Sequence, residues 1–216
     1  MSADRPLVTP EPVNPYRRGL LLAGSLFCLG AHAAIPPFTE KKLPVEGPLD
    51  TFDLLLSIGT FQRPGGGAID PINAKQRAAL ERLIPAILAK NGLQLPVFKS
   101  VGNDAYVDEF LRQVEQVDSP RYVLSIQSVR YETSQAIQTV WFETKLIDRT
   151  VRKTAWTLRL GWRLVDSQPN IRAEETAGIL LRFMAQDGLI KLSEGGPIDL
   201  KGRPIERHSV FATDFE

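Results

Sequence analysis

From residue 51 to residue 190 the apolar positions switch between two periods, and the switches delimit the elements. Phe52, Leu54, Leu55, Leu56, Ile58 and Phe61 form a short apolar run that predicts a central strand. Leu80, Leu83, Ile84, Ile87 and Leu88 repeat at helical spacing between an Asp70-Pro71 start and an Asn91-Gly92 stop, with Pro85 predicting a kink or break. A short strand over 95–99 follows. A second helix, capped by Asn103, carries Tyr106, Val107, Phe110, Leu111 and Val114 on one side and Asp104, Asp108, Glu109, Arg112 and Glu115 mostly on the other. Strands are then expected over 121–132, 138–148 and 154–165. In the last, Thr154, Trp156, Leu158, Leu160, Trp162 and Leu164 alternate with Ala155, Thr157, Arg159, Gly161 and Arg163, which puts one face on a core and the other in water. A third helix over 171–186 has Ala177, Leu180, Leu181 and Met184 on its main stripe; Ile179 and Phe183 widen it, so the helix is either sandwiched inside the domain or offers spare surface to a partner.

The order β-α-β-α-β-β-β-α predicts an α/β (α+β) fold: a single-domain two-layer sandwich with a mixed sheet and helices on one face, spanning 51–190. Residues 34–50, with Pro36, Pro37, Pro44 and Pro48, read as a flexible linker, and 191–216, rich in Gly, Pro and charge, as a flexible tail.

Two phrases carry a resemblance. Thr139-Val140-Trp141-Phe142-Glu143-Thr144-Lys145-Leu146-Ile147-Asp148, followed by Lys153-Thr154-Ala155-Trp156, is similar to a strand-turn-strand hairpin of bacterial envelope lipoproteins, among them activators of penicillin-binding proteins and auxiliary lipoproteins of lipid transporters. The resemblance covers about residues 51–190 and implies a non-enzymatic accessory that binds other envelope proteins. The connecting Asp148-Arg149-Thr150-Val151-Arg152-Lys153 lacks the turn glycine of those proteins.

The N-terminus points to the same compartment. Arg17 and Arg18 precede an apolar run from Gly19 to Gly30 and the tripeptide Ala31-His32-Ala33, the pattern of a cleavable export signal over 1–33. That run is shorter than the roughly 20 residues a permanent span needs. Leu26 and Phe27 before Cys28 are too bulky for a lipobox, so a soluble periplasmic protein without a lipid anchor is expected. The paired arginines also resemble a twin-arginine signal, although Sec export is the reading preferred.

Composition narrows the chemistry. Of 26 basic and 25 acidic residues the signal removes Arg5, Arg17, Arg18, Asp4 and Glu11, leaving 23 of each, so no basic stripe for nucleic acid is expected. The sole cysteine, Cys28, leaves with the signal, and of two histidines only His208 remains. Zinc hydrolysis and histidine-based triads are therefore not expected, and no cofactor is. Asp53, Asp70, Asp104 and Asp108 keep carboxylate catalysis open in principle. Arg63 with Gly65, Gly66 and Gly67 ahead of a helix is a candidate anion site. Trp141, on the outward face with Glu143, Lys145 and Ile147, is a candidate partner anchor or a cross-strand shield. Lys145 on that face is a further partner candidate; Arg130, Arg159 and Arg163 make either a basic outer face for an acidic polymer or lipid headgroup or a solvated sheet face, Ile179 and Phe183 a candidate helix patch, while Trp156 and Trp162 read as core. The expected function is an exported accessory protein binding another envelope protein, lipid or glycan; a small-ligand or lipid-binding module is the alternative.

Overall fold

The structure, a computed structural model, describes residues 39–62, 65–102, 109, 110, 112, 119–134, 137–164, 168–206 and 210–213. Its strands are β1 (Thr39–Lys41), β2 (Asp53–Ser57), β3 (Phe61–Gln62), β4 (Ala68–Ile69), β5 (Phe98–Val101), β6 (Tyr122–Ser134), β7 (Ile137–Asp148), β8 (Lys153–Arg163) and β9 (Val210–Thr213). Its helices are α1 (Ala74–Lys90) and α2 (Pro169–Gln186). The fold is a mixed α/β sandwich with the sheet ordered β1-β8-β7-β6-β2-β5 and β9 also on β8. β2 runs parallel to both β5 and β6, and α1 supplies the crossover that such parallel pairing needs. The β6–β7–β8 meander is antiparallel.

Alternation decides which face is covered. Leu54 and Leu56 of β2, Leu124 and Ile126 of β6, Val140, Phe142 and Leu146 of β7, and Trp156, Leu158, Leu160 and Trp162 of β8 are buried in one core with Leu80, Ile84, Ile87 and Leu88 of α1 and Ala177, Leu180, Leu181 and Met184 of α2. Burial of a tryptophan also buries its N–H, so each finds an acceptor. Trp162 Nε1 donates to Thr176 Oγ1 at 2.8 Å and Trp156 Nε1 to Asp187 Oδ2 at 2.6 Å. On the opposite face Leu55, Val123 and Ile147 form a smaller cluster with Phe110. The expected second helix otherwise falls outside the described residues, as do Asp104 and Asp108.

Local chemistry shifts some boundaries. Asn73, not Asp70, caps α1: its side chain accepts from the Gln76 amide while Gln76 returns a bond to the Asn73 amide. Asp70 instead accepts from Ile72 N and pairs with Arg77. α1 continues as one helix past Pro85.

The segments expected to be flexible contribute structure. Thr39–Lys41 pairs with β8, Leu49 N donates to Leu189 O at 2.6 Å, and Leu43, Val45 and Leu49 pack on the core. Residues 189–206 fold back over α2, burying Leu189, Ile190 and Ile205. Asn91 pins this strap, donating to Ile198 O at 2.9 Å and accepting from Ile198 N at 3.0 Å. Asp199 closes its turn by accepting from the Lys201 and Arg203 amides at 2.8 Å each. These peripheral apolar residues are too widely spaced to register as an element, yet each finds a hydrophobic seat.

Candidate functional site

The β6–β7 hairpin outruns its neighbour. β2 accompanies β6 from Asp53↔Val123 to Ser57↔Gln127 and then leaves. Ser128 stands at that exit, its hydroxyl accepting from Gly59 N at 3.1 Å. A register shift between Ser128 and Arg130 follows, where Val129 is the extra residue and 43% exposed. β6 then pairs with β7 as far as Ser134↔Ile137.

Facing this distal part of β6 is the two-stranded β3–β4 ribbon, with Phe61 opposite Ile69 and Gln62 opposite Ala68. Its turn contains Gly65, Gly66 and Gly67, all at positive φ (96°, 97° and 88°), a conformation that side chains with a Cβ disfavour. The Phe61 and Tyr131 rings lie with centroids 6.3 Å apart, bridging ribbon and hairpin. Between them is a groove of about 530 Å³ lined by Phe61, Gln62, Ile69, Val129, Arg130, Tyr131 and Thr133.

Trp141 adjoins the groove. It lies directly opposite Arg130 on β6 and Gly161 on β8, and its indole N–H donates to Glu132 Oε2 at 2.8 Å. Glu132 also pairs with Arg130. Arg130, Glu132 and Trp141 thus form a polar chain across two strands, so the indole is half-buried with its polar edge engaged within the sheet. Its neighbours across the strand pair are Arg130 and Glu132.

The other candidates separate. Lys145 pairs with Glu143 at 2.6 Å on its own strand, and Glu143 lies opposite Arg159. Arg163 is exposed at the end of β8, opposite Thr139. Glu132 and Glu143 stand among these cations, so the face carries both signs. Ile179 is only 2% exposed and Phe183 is half-buried, the first within the main core and the second packed against it, so the helix patch is largely covered by the chain itself. Gly65, Gly66 and Gly67 sit in the β3–β4 turn and not at the start of α1, whose first-turn amides are served by Asn73; Arg63 lies outside the described residues.

Asp53 and Asp70 do not meet: Asp53 is buried at the start of β2 and Asp70 is exposed before α1. Burial pushes the Asp53 carboxyl above the usual carboxylate range, opposed by a bond from Val97 N at 3.2 Å and by the Arg149 charge. Among the described residues, no group of three His, Cys, Asp or Glu side chains converges as for a metal, and no helix is long and apolar enough to cross a membrane. The signal that sequence reasoning passed over is Val129: a valine that breaks the alternation of β6 marks the bulge at which the groove opens.

No family model and no curated protein matches the chain. Solved structures are distantly similar. The PelC dodecamer from Paraburkholderia phytofirmans matches at 14% identity over 66% of this chain and 93% of that one, with a TM-score of 0.37. A Xanthomonas campestris protein matches at 12% identity over 68% and 94%, with a TM-score of 0.32. A lipoprotein from Neisseria meningitidis matches at 16% identity over 63% and 96%, with a TM-score of 0.33.

Proposed function

We propose that this protein is an exported, non-enzymatic accessory of the bacterial cell envelope that binds another envelope component through the distal end of its β6–β7 hairpin. The groove beside Val129 and Tyr131 carries this reading. It combines exposed apolar surface with a rigid backing, Tyr131 lying against Phe61 and the strands continuing into the core. Aromatic anchors on a preorganised frame are what protein interfaces use for affinity. Val129 is one of the few large apolar side chains left exposed among the described residues, and of these it is the one that lines the groove. The export half of the proposal rests on the Arg17-Arg18 run and the Ala31-His32-Ala33 site.

Fractionation and in vivo photocrosslinking test it together. The protein should be recovered from the periplasm with a chain starting at Ala34, and a photoreactive residue in place of Gln62 should give one reproducible crosslinked protein that disappears in Tyr131→Ala. Retention in the cytoplasm would sink the export half. Co-purification of a lipid with an uncrosslinked monomer would favour the small-ligand alternative, and hydrolytic activity abolished by Asp53→Asn would overturn the non-enzymatic reading.

A further inference from the structure

We infer that the groove is a strand-addition site: it takes an extended, uncharged peptide segment of the partner, which pairs with the β6 edge where β2 has left it. This rests on the binding reading above and deepens it by naming the kind of partner.

The backbone makes the argument. Among the described residues, β6 beyond Gln127 is paired on its β7 side alone, while its other side looks into the groove. Such an edge presents alternating N–H and C=O groups that only another extended backbone satisfies in series. Beyond the bulge Arg130 lies opposite Trp141 and Tyr131 opposite the core residue Val140, so these two side chains point to opposite faces of the strand, yet both line the groove. The groove therefore runs along the edge and does not sit on one face. Its place in the sheet is the continuation of β2, so an incoming segment would prolong the β2–β6 ladder already built. From Val129 to Thr133 the edge offers about 13 Å at the usual strand rise, room for about four extended residues.

Charge and shape specify the segment. Among the described residues Arg130 is paired with Glu132, so the rim they form carries no net charge to attract an acidic or basic peptide. Phe61, Ile69 and Tyr131 supply apolar walls, which calls for apolar side chains at alternate positions of the guest. A bulge at the start of an edge is the device by which sheets usually deter pairing. Here it turns Val129 outward into the groove and leaves the edge beyond it regular as far as Ser134↔Ile137.

Panning a phage-displayed library of random peptides on the full chain tests this, with the enriched peptides synthesised and titrated by calorimetry. The enriched sequences should alternate apolar residues. N-methylation of every second backbone amide should weaken binding by about tenfold or more in one register and little in the other, because alternate amides of a bound strand face the edge. Val129→Asp should weaken binding by a similar factor while leaving the urea midpoint unchanged. Equal effects of N-methylation in both registers, full binding by Val129→Asp, or an absence of enriched peptides would overturn strand addition. If peptides fail while the residue 62 crosslink still captures its partner, the groove binds a folded surface and the function proposed above stands without this mode.

Discussion

Asp53 and Asp148 are both almost fully buried, yet their carboxyls shift in opposite directions. Burial raises each. At Asp148 it is outweighed by hydrogen bonds from Arg121, at 2.8 and 3.0 Å, and from the amide and hydroxyl of Thr150, at 2.9 and 2.6 Å. At Asp53 burial outweighs the amide of Val97, donating at 3.2 Å, the Ser119 hydroxyl and the Arg149 charge, all of which act to lower it. The consequences for stability have opposite signs. Asp148, lowered when folded, contributes stability above about pH 4 that is lost as pH falls through its folded value. Asp53, raised when folded, subtracts stability as pH climbs from about 4 to its folded value, and the penalty is constant beyond. Urea titrations across that range should show Asp148→Asn less stable than the parent near neutrality by about 1 kcal/mol, a figure discounted for the solvent-exposed side of Arg121, with the gap closing in acid. Asp53→Asn should instead gain on the parent as pH rises; a parallel pH profile for either variant would contradict the assignment.

At the scale of elements, the strap and α2 meet at Gly178. A Cβ added there would lie 2.6 Å from Ile205 Cγ2, so the strap seats its isoleucine where the helix has no side chain. Alanine in a helix interior ordinarily gains about 1 kcal/mol over glycine, but overpacking costs about 1 to 3. Gly178→Ala should therefore lower the urea midpoint, and adding Ile205→Ala should recover part of the loss in a double-mutant cycle; simple additivity would mean that the two do not touch. The elements themselves were legible in the sequence because their signal is local. The strand expected over 154–165 is Lys153–Arg163, and the helix expected over 171–186 is Pro169–Gln186. Pro96 lies before β5, which explains why the short strand starts at Phe98 and not at Leu95: proline has no amide to give to the ladder. The capping box Asn73-x-x-Gln76 was readable too, but the more conspicuous Asp70-Pro71 pair diverted the reading to a turn that precedes it.

In the whole molecule the two ends of the described chain serve one purpose. β1 covers β8 at Trp156 to Leu158, and β9 covers it from Arg159 to Trp162, so an edge that would otherwise invite another chain is closed from within. A chain ending at Glu206 should bind its partner groove as before but self-associate, read by light scattering at rising concentration, because half of the β8 edge would lose its pairing; a monodisperse truncated protein would show that β9 does not protect the edge. The opposite side of the meander is left differently, with β2 stopping short of the hairpin tip and the groove opening there.

Hydrophobic period thus determined the two helices and the long strands β6, β7 and β8, and which face of each is buried, since 3.6- and 2-residue repeats follow from backbone geometry alone, while the short strands β1, β3, β4 and β9 carry too little pattern to register. It determined that Ile179 and Phe183 belong to an apolar surface, and that Trp141 faces away from the main core. Only the tertiary structure decided what meets such surfaces: Ile205 of the strap at Gly178 of α2, Glu132 on the Trp141 indole, and a β3–β4 ribbon across the groove from β6. The reason is physical. Alternation reports that a face is withdrawn from water, whereas the identity of its cover depends on contacts between residues far apart in the chain, such as Asn91 with Ile198 and Phe61 with Tyr131, which leave no periodic trace in either partner.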